Sequence, residues 1–192
     1  MTDRKEVVAK DREAWRNWLR EYHATSGTVW LVIYKKDSGT ESITYEEAVE
    51  EGLCYGWIDS TPNKRDDESY MQRFSPRNPG SNWSRKNKES VERLMDEGKM
   101  APAGLKMVEL AKESGTWDAL NDVENLVVPP DLEKALAAYP DAARHFDNFP
   151  PSVKRGILEW ILNAKRQVTR DKRVGETARL ANDNIRANQY RP

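Results

Sequence analysis

The first clear pattern along the chain is a stripe of aromatic and aliphatic side chains. It occupies positions i, i+3, i+4 and i+7, which are Trp15, Trp18, Leu19 and Tyr22. This spacing predicts an amphipathic helix over residues 11–23, because residues at these intervals share one helical face. We expect the stripe to face a hydrophobic core and not a cofactor.

A different pattern follows, typical of strands. Residues 29–34 form an unbroken run of β-branched and aromatic side chains, which predicts a buried strand. Residues 53–60 and 70–74 are two further short extended segments, and residues 61–68 between them are predicted to form a polar loop. We expect the three segments to make a small, antiparallel sheet.

Helix boundaries are marked by capping residues. Thr44 and Glu47 match a capping box, in which each side chain accepts the backbone N–H of the other residue. This predicts a short helix that stops at Gly52. Ser84 is the expected N-cap of a later helix, and Gly98 its expected end.

Beyond Gly98, helical spacing dominates. Pro102 is expected at the first position of a helix, and residues 120–130 form a connector with a Pro-Pro stop. The pattern predicts an α+β fold. Residues 1–125 form a body with a small antiparallel sheet flanked by helices, and residues 126–192 form an all-helical C-terminal region.

The composition is compatible with an aromatic-centred core. The 192 residues include seven Trp and seven Tyr, and 31 basic residues nearly balance 32 acidic residues. The longest apolar run has six residues, against the roughly 20 that a membrane helix needs. No signal-peptide pattern is found. These features predict a cytoplasmic protein without membrane insertion.

Cysteine and histidine chemistry is not indicated. Cys54 is the only cysteine, so an intramolecular disulfide is excluded, and its apolar neighbours predict a buried thiol. His23 and His145 lie in unrelated segments without the spacing of metal ligands. We expect no metal site and no cofactor.

Residues 56–84 concentrate the groups that suit ligand binding. Proline and glycine fix the backbone, guanidinium groups offer paired donors to an anion, indole faces offer stacking, and amides orient a ligand. The predicted ligand-binding residues are Trp57, Asp59, Asp66, Gln72, Arg73, Arg77, Asn82 and Trp83.

The same segment is compatible with a purely structural role. In that alternative, Trp57 lies in the core, and Arg73 or Arg77 pairs with Asp59 or Asp66 in an ion network. Both interpretations stay open on the sequence alone.

An enzyme is the main functional alternative to a binding protein. Asp59 or Asp66 would then act as general base on a small anionic substrate. The sequence contains no GxSxG, HExxH or phosphate-binding GxxxxGK[ST] motif. No catalytic residue is therefore assigned.

A basic C-terminal tail raises a third possibility. Residues 151–192 carry ten Lys and Arg against four Asp and Glu, and such a helix could lie along phosphates. Acidic residues interrupt the basic stripes, and the isoelectric point is near 6.2. Both observations argue against nucleic-acid binding.

Several motifs share one family resemblance. They occupy residues 30–36, 44–48, 56–59, 70–77, 82–84, 156–161, 164–166 and 169–173. Together they resemble the bacteriocin-protection, YdeI or OmpD-associated (OmdA) family over nearly the whole chain. The resemblance implies protection of bacteria against bacteriocins or cationic peptides, association with an outer-membrane porin, and a periplasmic location. It carries over no catalytic residue.

The functional prediction combines these observations. We expect a bacterial stress or bacteriocin-protection protein that binds a small anionic ligand or a protein partner through residues 57–83. The lack of a signal-peptide pattern favours the cytoplasm over the periplasmic location that the resemblance implies.

Overall fold

The fold belongs to the α+β class, as predicted. A computed structural model describes residues 5–189. The chain divides into two compact units, Met1–Asp118 and Ala119–Pro192. Within the described residues, the first unit contains a sheet and four helices, and the second is built of helices.

The elements follow a simple order. The first unit contains β1 (Glu6–Val8), α1 (Arg12–Tyr22), β2 (Val29–Tyr34), α2 (Tyr45–Cys54), β3 (Trp57–Lys64), β4 (Ser69–Pro76), α3 (Arg85–Asp96) and α4 (Pro102–Ser114). A short 3₁₀ turn, Lys36–Ser38, follows β2. The second unit contains α5 (Asn121–Glu124), α6 (Pro130–Ala137), α7 (Ala142–Asp147), α8 (Pro151–Leu162) and α9 (Gln167–Asn182).

The sheet has the strand order β1-β2-β4-β3. Strand β4 runs antiparallel to both β2 and β3, as predicted, but β1 runs parallel to β2 and makes the sheet mixed. Strand β1 was not predicted, since three residues are too few for an alternating pattern. Strand β3 extends to Lys64 through residues predicted as loop, with a register shift between Asp59 and Pro62.

Helix α2 begins as predicted but ends later. Its capping box is confirmed, with Thr44 Oγ1 accepting from the Glu47 N–H and the Glu47 carboxylate from the Thr44 N–H. Gly52 does not stop the helix. A Cβ at Gly52 would lie 3.2 Å from the Phe74 ring, so the missing side chain allows helix and sheet to approach. The chain turns instead at Gly56, where φ is +72°.

Aromatic residues form the core of the first unit, as predicted. Trp15 stacks on Trp18 with ring centroids 5.0 Å apart, and Trp18 meets the edge of Trp57 at 5.7 Å. The indole N–H of Trp15 donates to the Ala48 carbonyl at 3.1 Å. This buried hydrogen bond ties α1 to α2.

Helix α4 packs closely against the end of α2. It begins at Pro102, as predicted, and a Cβ at Gly104 would lie 2.3 Å from the carbonyl oxygen of Cys54. No side-chain carbon fits at that distance. Glycine is therefore needed for this helix contact.

In the second unit, α6, α7 and α8 pack against α9. Leu132, Phe146 and Ile157 lie in the hydrophobic core of this unit. Helices α5 and α7 were not predicted, because four and six residues give little periodic signal. Helix α9 ends at Asn182. No helix within residues 5–189 is long and apolar enough to cross a membrane.

Candidate functional site

Arg77 follows directly after β4, and a tight turn holds its backbone. Its N–H donates to the carbonyl of Gly56 at 2.9 Å. Gly56 has φ of +72°, and a Cβ there would lie 2.8 Å from the Met107 side chain. Both constraints require glycine, so the turn that positions Arg77 has little freedom.

The guanidinium of Arg77 is buried but incompletely paired. The residue is 5% exposed, and its Cζ lies 3.7 Å from the centroid of the Trp83 ring. Nη2 donates to the Asn82 carbonyl at 2.5 Å. Nε and Nη1 find no acceptor among the described residues. A buried donor without an acceptor destabilises a protein by about 1–3 kcal/mol, so this arrangement opposes folding.

The electrostatics of Arg77 show the same imbalance. Burial lowers the pKa of Arg77 to about 10, and the nearby charge of Asp59 opposes that effect. None of the described carboxylates forms an ion pair with Arg77. An anionic group in contact with the guanidinium would supply acceptors for its donors and stabilise its charge.

Asp59 belongs to a separate hydrogen-bonded cluster. Its Oδ2 accepts from the Tyr45 hydroxyl at 2.8 Å and lies 3.5 Å from Nε2 of Gln72. The buried Gln72 amide also donates to the Ser60 carbonyl. Burial raises the pKa of Tyr45, and Asp59 adds to this effect, so the phenol stays a donor. Tyr45, which comes from α2, was not among the predicted site residues.

Both predicted tryptophans lie inside the protein. The indole N–H of Trp57 donates to the His23 carbonyl at 3.2 Å, and its ring packs in the aromatic core. Trp83 is covered by Arg77 and contacts Trp117 with ring centroids 5.1 Å apart. Asn82 offers its backbone carbonyl to Arg77. Trp83 thus supports the guanidinium of Arg77.

Arg73 and Asp66 lie apart from both clusters. Arg73 is exposed on β4 opposite Trp30, and its side chain has no ion pair or hydrogen bond with a described residue. Asp66 lies in the β3–β4 turn, where its Oδ1 accepts from the Ser69 N–H at 2.7 Å and from the Ser69 hydroxyl at 2.8 Å. These hydrogen bonds lower the pKa of Asp66. Ligand binding by either residue stays a prediction.

A buried ion network between α1 and α2 was not predicted. Glu51 is 1% exposed, and its two carboxylate oxygens accept from Arg12 Nε at 2.6 Å and Arg16 Nη1 at 2.7 Å. Nη2 of Arg16 also donates to the Lys99 carbonyl at 2.7 Å. The spacing of four between the arginines places them on one helical face, and this spacing was the available signal.

The thiol of Cys54 is buried, as predicted. Burial raises the pKa of Cys54 to about 11, which opposes formation of the reactive thiolate. Within residues 5–189, no three His, Cys, Asp or Glu side chains are grouped in a way that could hold a metal ion.

Two family models match different parts of the chain. The model of a domain of unknown function, DUF8412, matches residues 7–107, more than half of the chain, and the chain belongs to this family. The model described as "Bacteriocin-protection, YdeI or OmpD-Associated" (OmdA) matches residues 125–184. Neither the curated proteins nor the solved structures searched gave a match.

The OmdA resemblance is thus confirmed in the C-terminal part of the chain. The motifs at residues 30–84 instead lie within the match to the domain of unknown function. At the level of the family, the OmdA match indicates a function related to bacteriocin protection.

Proposed function

We propose that this chain is a bacteriocin-protection protein that acts by binding a small anionic ligand at Arg77. The observation that carries the proposal is the pair of buried donors, Nε and Nη1, without acceptors among the described residues. The family match supports the general role, and the guanidinium supports the charge of the ligand.

The chemistry of the ligand follows from the surroundings of Arg77. A carboxylate or phosphate oxygen is the strongest acceptor for a charged N–H donor. The negative charge of Asp59 attracts the Arg77 guanidinium electrostatically. Tyr45 and Gln72 hold the Asp59 carboxylate in place. The negative charge of Asp59 repels an anion bound at Arg77, and the repulsion grows with the charge of the anion. A compound with a single carboxylate is therefore favoured over a phosphate.

The Asp59 cluster also favours binding over catalysis. Oδ2 of Asp59 already accepts from the Tyr45 hydroxyl at 2.8 Å, so a substrate proton would compete with that hydrogen bond at this oxygen. Tyr45 itself has its pKa raised by burial and remains protonated. The cluster therefore holds the negative charge of Asp59 at a fixed position near Arg77.

Thermal unfolding of the full chain tests the ligand class. The panel comprises N-acetylated amino acids, cell-wall peptide fragments, sugar phosphates and inorganic phosphate. A true ligand at about one hundred times its Kd stabilises the protein by about 2.7 kcal/mol. We expect the carboxylates to raise the unfolding temperature, Arg77→Lys to abolish the shift, and Arg73→Lys to preserve it. Loss of the shift in both variants, or no shift with any compound, would overturn the proposal.

A survival assay tests the biological role. Bacteria lacking the chain are complemented with wild type, Arg77→Lys or Arg73→Lys and exposed to a bacteriocin. We expect Arg77→Lys to protect less than wild type, while the exposed Arg73 variant protects fully. Full protection by a folded Arg77→Lys variant would contradict the assignment of the site.

A further inference from the structure

The second unit contains a polar cavity of about 410 Å³. Its lining combines an aromatic ring, three charged side chains and two amides: Trp160, Glu176, Arg179, Arg186, Asn188 and Gln189. The volume lies within the roughly 300–1,000 Å³ of small-molecule sites. Every lining residue belongs to the second unit, so the cavity is separate from the Arg77 site.

Two arginines in the cavity retain their full set of donors. Arg179 and Arg186 are exposed, and neither side chain makes a hydrogen bond or ion pair with a described residue. By contrast, Arg170, which lies on α9 with Arg179, donates to Asp131 through Nε at 2.6 Å and Nη2 at 3.0 Å. Arg170 is therefore structural, whereas Arg179 and Arg186 remain available to an anion.

The aromatic wall of the cavity is held in place. Arg173 donates to the backbone carbonyl of Trp160, and its Cζ lies 5.0 Å from the centroid of the indole ring. The Asn188 side chain donates to the Gly156 carbonyl at 3.4 Å, which fixes the segment after α9 against α8. The lining of the cavity thus includes a fixed indole ring and a fixed amide.

Glu176 adds a different requirement. Its carboxylate lines the cavity, and it forms no ion pair or hydrogen bond with a described residue. A simple anion would be repelled by this group, but a ligand that also carries N–H donors would satisfy it. The lining therefore matches a ligand with an acidic end and a donor-bearing ring.

We propose that this cavity binds a nucleoside monophosphate. Arg179 and Arg186 bind the phosphate, the edge and exposed face of Trp160 contact the base, and Glu176 accepts an exocyclic N–H. Free nucleotides and the terminal nucleotide of a nucleic acid share this chemistry. This site goes beyond the proposed carboxylate binding and does not depend on it.

Calorimetric titration of the full chain with adenosine 5′-monophosphate tests the proposal. We expect the double variant Arg179→Gln/Arg186→Gln to weaken binding by at least about 150-fold, which corresponds to one lost charged contact per arginine. The matched pair Arg166→Gln/Lys172→Gln removes the same charge from exposed positions of the C-terminal region outside the lining, and it should keep wild-type affinity. Arg77→Lys should also keep it, which separates this site from the first.

Further titrants show whether the ligand is a free nucleotide or part of a nucleic acid, and whether the Trp160 ring contributes to binding. Ribose 5-phosphate and adenosine should each bind at least about tenfold more weakly than the nucleotide, because each lacks one half of the contacts. No binding of the nucleotide, or equal binding of inorganic phosphate, overturns the proposal. Tighter binding of a single-stranded oligonucleotide that both double variants weaken equally also overturns it, because the contact then lies on the helix surface.

Discussion

Replacing Arg77 with methionine should change the stability of the first unit less than the same replacement of an arginine that pairs with a buried carboxylate. Methionine is unbranched and flexible, so it keeps most of the packing of the arginine stem. The substitution removes the two buried donors that lack acceptors, together with the contacts to Trp83 and the Asn82 carbonyl. The expected result depends on which group of effects is larger.

The opposing contributions are similar in size. A pKa lowered to about 10 corresponds to about 3 kcal/mol against the charged form of Arg77. The hydrogen bond to the Asn82 carbonyl contributes about 1.5–3 kcal/mol, and stacking on Trp83 contributes up to about 2 kcal/mol. We therefore expect Arg77→Met to change the free energy of unfolding by no more than about 2 kcal/mol in either direction.

Arg16→Met is the matched comparison, because this arginine is fully engaged in structure. It leaves the buried Glu51 with one partner fewer and the Lys99 carbonyl without its side-chain donor. Removing one partner of a buried ion pair typically destabilises by about 3–5 kcal/mol, and the remaining contact with Arg12 favours the lower value. The two arginine substitutions should thus differ clearly.

Urea unfolding followed by tryptophan fluorescence measures this difference. Six of the seven tryptophans lie in residues 1–118, so the signal reports mainly on the first unit. Equal urea dependence in all variants would justify comparison of their free energies. If Arg77→Met destabilises as much as Arg16→Met, the Arg77 guanidinium serves folding, and the argument for a ligand site is refuted.

Three further predictions concern other parts of the chain. The hydrogen bond from Arg170 lowers the pKa of Asp131, so this pair stabilises the second unit above about pH 4 and ceases to do so as the pH falls. Asp131→Asn should lower Tm, measured by circular dichroism, by about 4–8 °C near pH 7 but hardly at about pH 2. An equal decrease in Tm at the two pH values would contradict the ion pair between Asp131 and Arg170. Because burial raises its pKa to about 11, Cys54 should react with a disulfide reagent roughly 100-fold more slowly in the native protein than in urea. Gly104→Ala should destabilise by about 2–3 kcal/mol in urea unfolding, whereas Gly175→Ala, whose Cβ meets nothing within 4 Å, should stabilise slightly.

Elements with strong local patterns could be predicted from the sequence. The strand Val29–Tyr34 has the predicted bounds, and α4 begins at Pro102 as predicted. Elements that depend on distant contacts could not be predicted in this way. Helix α2 continues past Gly52 because that position packs on Phe74, and β1 is defined by its pairing with β2.

The candidate site was predictable in composition but not in burial. Residues 56–84 concentrate arginine, tryptophan and amide groups, and this is visible in the sequence. Whether a given arginine is buried is not visible. Arg73 lies on an exposed position of a regular strand, whereas Arg77 comes just after β4 and turns inward onto Trp83. Only the tertiary contacts reveal which donors lack acceptors.

The shared carboxylate of Glu51 also constrains how the sequence can evolve. Losing Arg12, Arg16 or Glu51 alone leaves a buried charge with too few partners, and selection would remove most such variants. Replacing all three with apolar residues of similar volume is tolerated far better. Among related sequences, we therefore expect these three positions to covary, with the arginines and the glutamate inherited or lost together.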